Sequence, residues 1–476
     1  MNNSSQASQR IAALLDENSF VEIGALVTAR STNFNMGQSK TPSDGVITGY
    51  GLIGGRLVYV YSQDSQVLNG SLGEMHAKKI TGLYDLALKM GAPVIGMLDS
   101  SGIRLQESTD ALQAFGEIYR KQAMASGVIL QITAVFGTCG GGMAVFPGMT
   151  DFTFMESKKG KLFINTPDSL TGNTSEKCNA STAAFQSRES GVVDMTGEEN
   201  DILKGMRDLI SMLPANHEEE TVCNECKDDL NRLCEGIQDM VSDGKSVIKE
   251  FADNHEFFET KDKYAKEMVT GFAKVNGMTI GCIANRMETL DGSGEAVEKH
   301  SMLLTAKGCE KAATFVRFCD AFNIPILSVT NVQGYEASIE AERDLAKATA
   351  KLTYALAGAT IPKVNLITGK AFGNAYITMN SKAIGADLTI AWDTAQIGVM
   401  EASLAAKIIY EGQGAAIIKE KAAEYETLQN SVESAASRGY VDQIINSADT
   451  RKYVIGAFEM LFTKRDYLPD RKHGTV

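Results

Sequence analysis

The sequence predicts an α/β protein made of two similar domains, and three observations carry that expectation. Apolar, β-branched runs alternate with segments of helical period. One order of elements (hairpin, helix, strand, helix, strand, small-residue turn) occurs twice along the chain. The 476 residues exceed what one hydrophobic core organises. The expected domains are 1–225 and 226–476.

Arg10 to Leu15 reads as an amphipathic helix, followed by the polar turn Asp16-Glu17-Asn18 and the apolar run Phe20-Val21-Glu22-Ile23. The same layout returns at Val247 to Glu259, where a short helix meets Asp253-Asn254 and then Phe257-Phe258-Glu259. Asp44 to Val60 reads as a hairpin turning on Gly54-Gly55, and Val269 to Gly281 as its counterpart turning on Asn276-Gly277. Gly49 to Gly54 spells GxGxxG, but it opens a strand rather than a helix, so a dinucleotide site fails on context. In the first half a helix ending near Lys89 is followed by the strand Val94 to Asp99 and a second helix. In the second half Lys311 to Phe322 is a predicted helix and Ile326 to Thr330 a strand. There Asn331 to Tyr335 is a loop, Asp344 to Ala357 a helix and Val364 to Thr368 a strand.

The central stretch is Val135-Phe136-Gly137-Thr138-Cys139-Gly140-Gly141-Gly142-Met143-Ala144. A buried strand (Val128 to Phe136) enters it, a short helix leaves it, and Asp151 to Met155 forms the next strand. Glycines at such a turn let backbone approach a ligand closely. The first N–H groups of the following helix lack an acceptor within it and can face developing negative charge. The same turn serves equally as a tight connection for close helix packing.

Composition narrows the function. A charge of -13 argues against nucleic acid or an anionic membrane as partner. No apolar run is long enough to span a bilayer, and Met1 to Ser5 carries no export signal, so a cytoplasmic protein is expected. Eight cysteines in this length are no disulfide scaffold, and the lone pair Cys223/Cys226 lacks the second pair a zinc site requires, so no metal is expected. The acidic stretch from Asn216 to Asp243 reads as a solvated connector, and the tail from Lys464 to His473 as surface. P-loop, H-E-x-x-H and G-x-S-x-G patterns are absent. His76 reads as a packing or capping residue. One small-residue turn per half remains, able to hold an oxyanion.

Several long motifs, in order, make the chain similar to a family. They are Asp44 to Gly51, Gly70 to His76, Asp99 to Glu107, the central turn through Phe152, Lys311 to Pro325, Pro362 to Val364 and Met379 to Lys382. Together they resemble the beta-type carboxyltransferase subunits of biotin-dependent acyl-CoA carboxylases, and the alpha-type subunits of related acyl-CoA decarboxylases. The resemblance implies two tandem crotonase-like (ClpP/crotonase) ββα-spiral domains, 1–225 on the acyl-CoA side and 226–476 on the biotin side. It implies a homo-oligomer, a hexamer or a dimer of dimers, with active sites at subunit interfaces. By position, Gly141 and Gly142 match one pair of oxyanion-stabilising residues and Asn374 and Ala375 the other. Gly140, Met143 and Ile377 fall where substrate is contacted. The implied chemistry releases carbon dioxide from carboxybiotin. The ureido nitrogen takes the acyl-CoA α-proton and the enolate attacks carbon dioxide; the reverse decarboxylates a malonyl-type thioester. Biotin would arrive on a biotin carboxyl carrier protein, since the chain has no Met-Lys-Met attachment motif. A biotin carboxylase or a membrane decarboxylase subunit would complete the cycle.

Three positions depart from the family pattern: Asn374 stands for Gly, Gln333-Gly334-Tyr335 for Pro-Gly-Phe, and Ile377 for the Asp of propionyl-preferring members. The resemblance leaves three readings. They are a carboxylase or transcarboxylase subunit, the carboxyltransferase of a sodium-pumping malonyl-, methylmalonyl- or glutaconyl-CoA decarboxylase, and a non-catalytic structural paralogue. A biotin-independent hydratase would need acid and base carboxylates at the turn, and the sequence shows none there.

Overall fold

Each half builds its own mixed sheet because each begins with a hairpin and continues through helical crossovers, which force parallel pairing. A computed structural model describes residues 5–30, 32–171, 179–219 and 225–467. The chain divides into two compact units, Met1–Glu220 and Thr221–Val476. Cys223 of the pair Cys223/Cys226, and the tail beyond residue 467, lie outside the described residues.

Unit 1 contains β1 (Val21–Ile23), β2 (Val46–Ile53), β3 (Arg56–Gln63), β4 (Val94–Ser100), β5 (Gln131–Gly140), β6 (Phe152–Glu156), β7 (Lys161–Phe163) and β8 (Met195–Gly197). The sheet order is β1-β2-β3-β4-β5-β6-β8, with β7 beside the far end of β5. The first pairs are antiparallel and those from β3 onward parallel. Unit 2 repeats this with β9 (Phe257–Thr260), β10 (Met268–Val275), β11 (Met278–Asn285), the side hairpin β12 (Glu288–Leu290) and β13 (Ala296–Lys299), β14 (Leu303–Leu304), β15 (Ile326–Val332), β16 (Gly334–Tyr335), β17 (Lys363–Phe372), β18 (Leu388–Trp392), β19 (Gln396–Gly398) and β20 (Gln443–Ile445). Its main sheet runs β20-β18-β17-β15-β11-β10-β9, with β19 beside the end of β17.

The repetition extends to individual side chains. The hairpin turns at Gly54-Gly55 and Asn276-Gly277 have positive φ at both central residues. Each is capped by the aspartate that opened the repeat. Asp16 accepts from Gly54 and Gly55 N–H at 3.1 and 2.9 Å, and Asp253 from Asn276 and Gly277 N–H at 3.1 and 2.7 Å. The two helices Glu74–Met90 and Ala306–Ala321 each bury a lysine against loop carbonyls. Lys79 donates to Ser43 O at 3.0 Å, and Lys311 to Lys261 O and Tyr264 O at 2.9 and 2.8 Å.

Tyr61, Tyr84, Phe115 and Phe146 fill the core of unit 1, and Phe251, Leu366, Trp392 and Phe458 that of unit 2. Trp392 keeps its indole N–H satisfied, donating to Thr450 Oγ1 at 2.9 Å. Among the described residues no helix is long and apolar enough to cross a membrane.

Two local expectations are corrected. Asn331 to Tyr335 is not a loop: β15 runs through Val332, and Gly334–Tyr335 pairs in parallel with Leu303–Leu304. The acidic connector is not simply solvated either. Asp228 accepts both Nε and Nη2 of Arg232 at 3.1 Å and lies 3.6 Å from the fully buried Arg451, because a buried guanidinium needs a carboxylate partner.

Candidate active site

In both units the strand leading to the small-residue turn changes partners halfway. Ile132 to Val135 of β5 pair with β6, and Thr138 to Gly140 with β7. Val364 to Ile367 of β17 pair with β18, and Lys370 to Phe372 with β19. The neighbouring strand accommodates this change with a register shift, between Leu98 and Ser100 against β5 and between Thr330 and Val332 against β17. A shift of this kind bends a strand and re-aims the segment beyond it. In each unit that segment is the turn.

Both turns begin on a left-handed glycine. Gly141 and Gly373 each have φ +62°, directly after an extended residue, Gly140 or Phe372. From Gly141 a 3-10 turn, Gly141–Ala144, runs into the helix Val145–Met149; from Gly373 the helix Gly373–Thr378 starts at once. Gly140, Gly141, Gly142 and Met143 therefore occupy one turn in unit 1. Asn374, Ala375 and Ile377 occupy the first turns of one short helix in unit 2.

The first turn has an aromatic wall. Phe115 and Tyr119, one turn apart on the helix Ser108–Ala125, pack with Phe146 at ring distances of 5.7 to 6.1 Å. The Tyr119 hydroxyl donates to Gly142 O at 2.6 Å. A trans peptide places its N–H opposite its C=O, so this bond also aims the Met143 N–H away from the wall. The Met143 side chain is buried. A Cβ at Gly142 would come within 3.0 Å of the Tyr119 hydroxyl and 3.1 Å of the Phe115 ring. The second turn is open where the first is walled. Asn374 is exposed, Ala375 is buried and Ile377 is half-buried. A cleft of about 500 Å³ is lined by Gly373, Asn374, Ile377, Tyr425, Gln429 and Arg438 among others. Tyr425 precedes a π-type turn, Glu426–Asn430, which brings Gln429 and Asn430 to the cleft.

Sequence reasoning identified the two turns but missed the side chains that fix them. Tyr119 carried only a helical spacing from Phe115 as its signal. His76, read from the sequence as a packing or capping residue, is buried within a chain of hydrogen bonds. The Asp44 carbonyl can only accept, so His76 Nδ1 donates to it at 2.9 Å and Nε2 accepts from Gln63 Nε2 at 3.2 Å. Gln63 Oε1 in turn accepts the Asp99 N–H at 3.1 Å. Burial pushes the His76 imidazole down to about 3, and the nearby Arg104 guanidinium adds to the shift. The unfolded chain therefore takes up a proton between about pH 6.5 and 3 that the folded chain refuses. Stability is fully present above that window and declines as pH falls through it. The drop in melting temperature from pH 7 to pH 4.5 is expected to be smaller in His76→Asn than in the unsubstituted protein. An equal drop in both would show that His76 carries none of the acid sensitivity.

Comparison with known proteins adds a family to this geometry. Residues 2–476 match a family model described as carboxyl transferase domain. The chain is 39% identical to the methylmalonyl-CoA decarboxylase subunit alpha of Propionigenium modestum over 488 residues, 99% of this chain and 92% of the relative. It is 40% identical to the propionyl-CoA carboxylase beta chain of Roseobacter denitrificans over 485 residues, 99% of this chain and 93% of the relative. Among solved structures it is similar to transcarboxylase 12S, described as a hexamer assembly with hydrolysed methylmalonyl-coenzyme A bound. The TM-score is 0.91 at 36% identity, covering 98% of this chain and 92% of that one.

Proposed function

The chain belongs to the family of carboxyltransferases of biotin-dependent carboxylases and decarboxylases, and from that premise we propose that it moves a carboxyl group between carboxybiotin and a short-chain acyl-CoA of acetyl or propionyl type. The thioester enolate is held by backbone oxyanion donors. One observation carries this reading: the same left-handed glycine, Gly141 or Gly373, opens a helix at the end of equivalent strands in both units. A reaction that passes an anion between two carriers needs two such stabilising sites, and each donor of this kind contributes about 3–4 kcal/mol in other enzymes.

In this reading the turn at Gly141 and Gly142 serves the acyl-CoA side, with Gly140 and Met143 beside the substrate. The turn at Asn374 and Ala375 serves the biotin side. Ile377, half-buried at the cleft, offers an apolar surface that favours a small acyl group. Biotin comes on a separate carrier protein, and the chain works in the cytoplasm as a homo-oligomer alongside a biotin carboxylase. No metal takes part in the mechanism.

The decarboxylase direction is a second reading. It is favoured by an identity to the decarboxylase alpha subunit that nearly equals the identity to the carboxylase beta chain. A membrane decarboxylase subunit would then be the partner. The exposed Asn374 side chain motivates a third, a structural paralogue without activity.

The test is carboxyl exchange from malonyl-CoA or methylmalonyl-CoA to free biotin or biotinylated carrier, without ATP. Turnover is expected, and the ratio of the two rates reads the role of Ile377. CoA-ester binding with no exchange would overturn the catalytic reading in favour of the structural one.

A further inference from the structure

At the register shift that precedes each turn, one residue of the neighbouring strand is left out of the ladder against three of the turn-bearing strand; that one residue is polar and reaches across. In unit 1 it is Asp99, whose Oδ1 accepts the Thr138 N–H at 3.3 Å. In unit 2 it is Asn331, whose Oδ1 accepts the Lys370 N–H at 3.0 Å. Thr138 and Lys370 hold equivalent places, the same number of residues ahead of the left-handed glycines Gly141 and Gly373.

Each of these side chains is itself anchored. The Asp99 N–H donates to Gln63 Oε1 at 3.1 Å and the Asn331 N–H to Asn285 Oδ1 at 3.0 Å. Asp99 Oδ2 accepts from the Ser65 hydroxyl at 2.9 Å. The same oxygen lies 3.7 Å from the guanidinium of Arg10, which stacks over the Phe136 ring at 4.6 Å. Asn331 Nδ2 donates to Val241 O at 3.1 Å, which fixes the amide's orientation because that carbonyl can only accept. The opposing strand leaves room for both. A Cβ at Gly137 would collide with Asp99 Oδ1, and one at Gly369 would stand 2.6 Å from Asn331 Oδ1.

We infer that Asp99 and Asn331 are positioning residues for carboxyl transfer, each holding the strand end that aims the N–H groups of its turn. The inference rests on the carboxyltransferase reading of those turns. One brace is a carboxylate and the other a neutral amide, so the property they share is an accepting oxygen rather than a charge. Misplacing a reacting group by about 1 Å costs on the order of 10²-fold in rate, so the loss of either oxygen is read in kcat.

Carboxyl exchange and CoA-ester binding are measured on the full chain, with melting temperature alongside. Asp99→Ala and Asn331→Ala are each expected to lower kcat by about tenfold or more, with the Kd for the CoA ester little changed. Asp99→Asn keeps the accepting oxygen and is expected to restore kcat to within about threefold of the unsubstituted protein. Gly137→Ala, which leaves Asp99 in place but drives its oxygen off Thr138, is expected to match Asp99→Ala. If the alanine variants are insoluble, Asp99→Asn and Gly137→Ala decide the matter, and equal kcat in those two overturns the inference. Full kcat in folded Asp99→Ala and Asn331→Ala overturns it as well. An unsubstituted protein without exchange activity would instead overturn the carboxyltransferase reading, so the two failures are told apart.

Discussion

Arg104→Ala is expected to destabilise unit 1 by about 3–5 kcal/mol, the usual cost of removing one partner from a buried ion pair. Arg104 is 1% exposed, and its partners Asp44 and Glu107 are buried with it. Its Nη1 donates to Asp44 Oδ1 at 2.6 Å and Glu107 Oε1 at 2.8 Å, and its Nη2 to Ser71 O at 2.7 Å. Burial already raises the Asp44 carboxyl, and the guanidinium is the main influence opposing that rise. Without it two carboxyl groups stay buried side by side with no cation between them. Glu107 also accepts the Glu74 N–H at 2.6 Å, at the start of the helix Glu74–Met90, so the damage spreads to that helix. Arg104→Lys keeps a charge but cannot reach three acceptors without the planar fork, so an intermediate loss is expected. Urea denaturation checks both variants. A midpoint for Arg104→Ala equal to that of the unsubstituted protein would refute the account.

Gly141→Val is expected to lower carboxyl exchange by about 10²-fold or more while CoA-ester binding survives. A Cβ at Gly141 would meet nothing within 4 Å, so crowding is not the cause. The cause is the backbone, since a β-branched residue at φ +62° is a true outlier and costs about 1–3 kcal/mol. The turn can escape that cost only by rotating the peptides whose N–H groups are the proposed donors. Gly141→Asn tolerates the left-handed region better and should lose less activity. Exchange rates at equal folded fraction, checked by circular dichroism, test this. An active Gly141→Val would move the oxyanion donors elsewhere.

The fold was largely legible because its signals are local. Gly54-Gly55 and Asn276-Gly277 announce hairpins through the backbone they require, and the central strands of both sheets are rich in apolar and β-branched residues. The turns were legible for the same reason, since Gly140-Gly141-Gly142 is a local peculiarity. The end of β15 was not legible. Asn331 is polar, buried and part of a strand, and its reason for being there is a backbone N–H contributed by a residue distant in sequence. Asp99 and Tyr119 were obscure in the same way. Each acts through a partner far along the chain, and no spacing in a single sequence reports such a contact. The helices Ala402–Ile409 and Ala415–Tyr425 went unread because their large apolar residues Leu404, Ile408, Ile409 and Ile417 are exposed and mark no core-facing stripe.

The outermost strands of the two main sheets have a consequence for assembly. Val21–Ile23, Met195–Gly197 and Gln443–Ile445 are three residues long, and Phe257–Thr260 is four. An edge this short offers an incoming chain too few hydrogen bonds to template a continuous cross-chain sheet. Copies of this protein can therefore join through side-chain surfaces without running their sheets together into fibres.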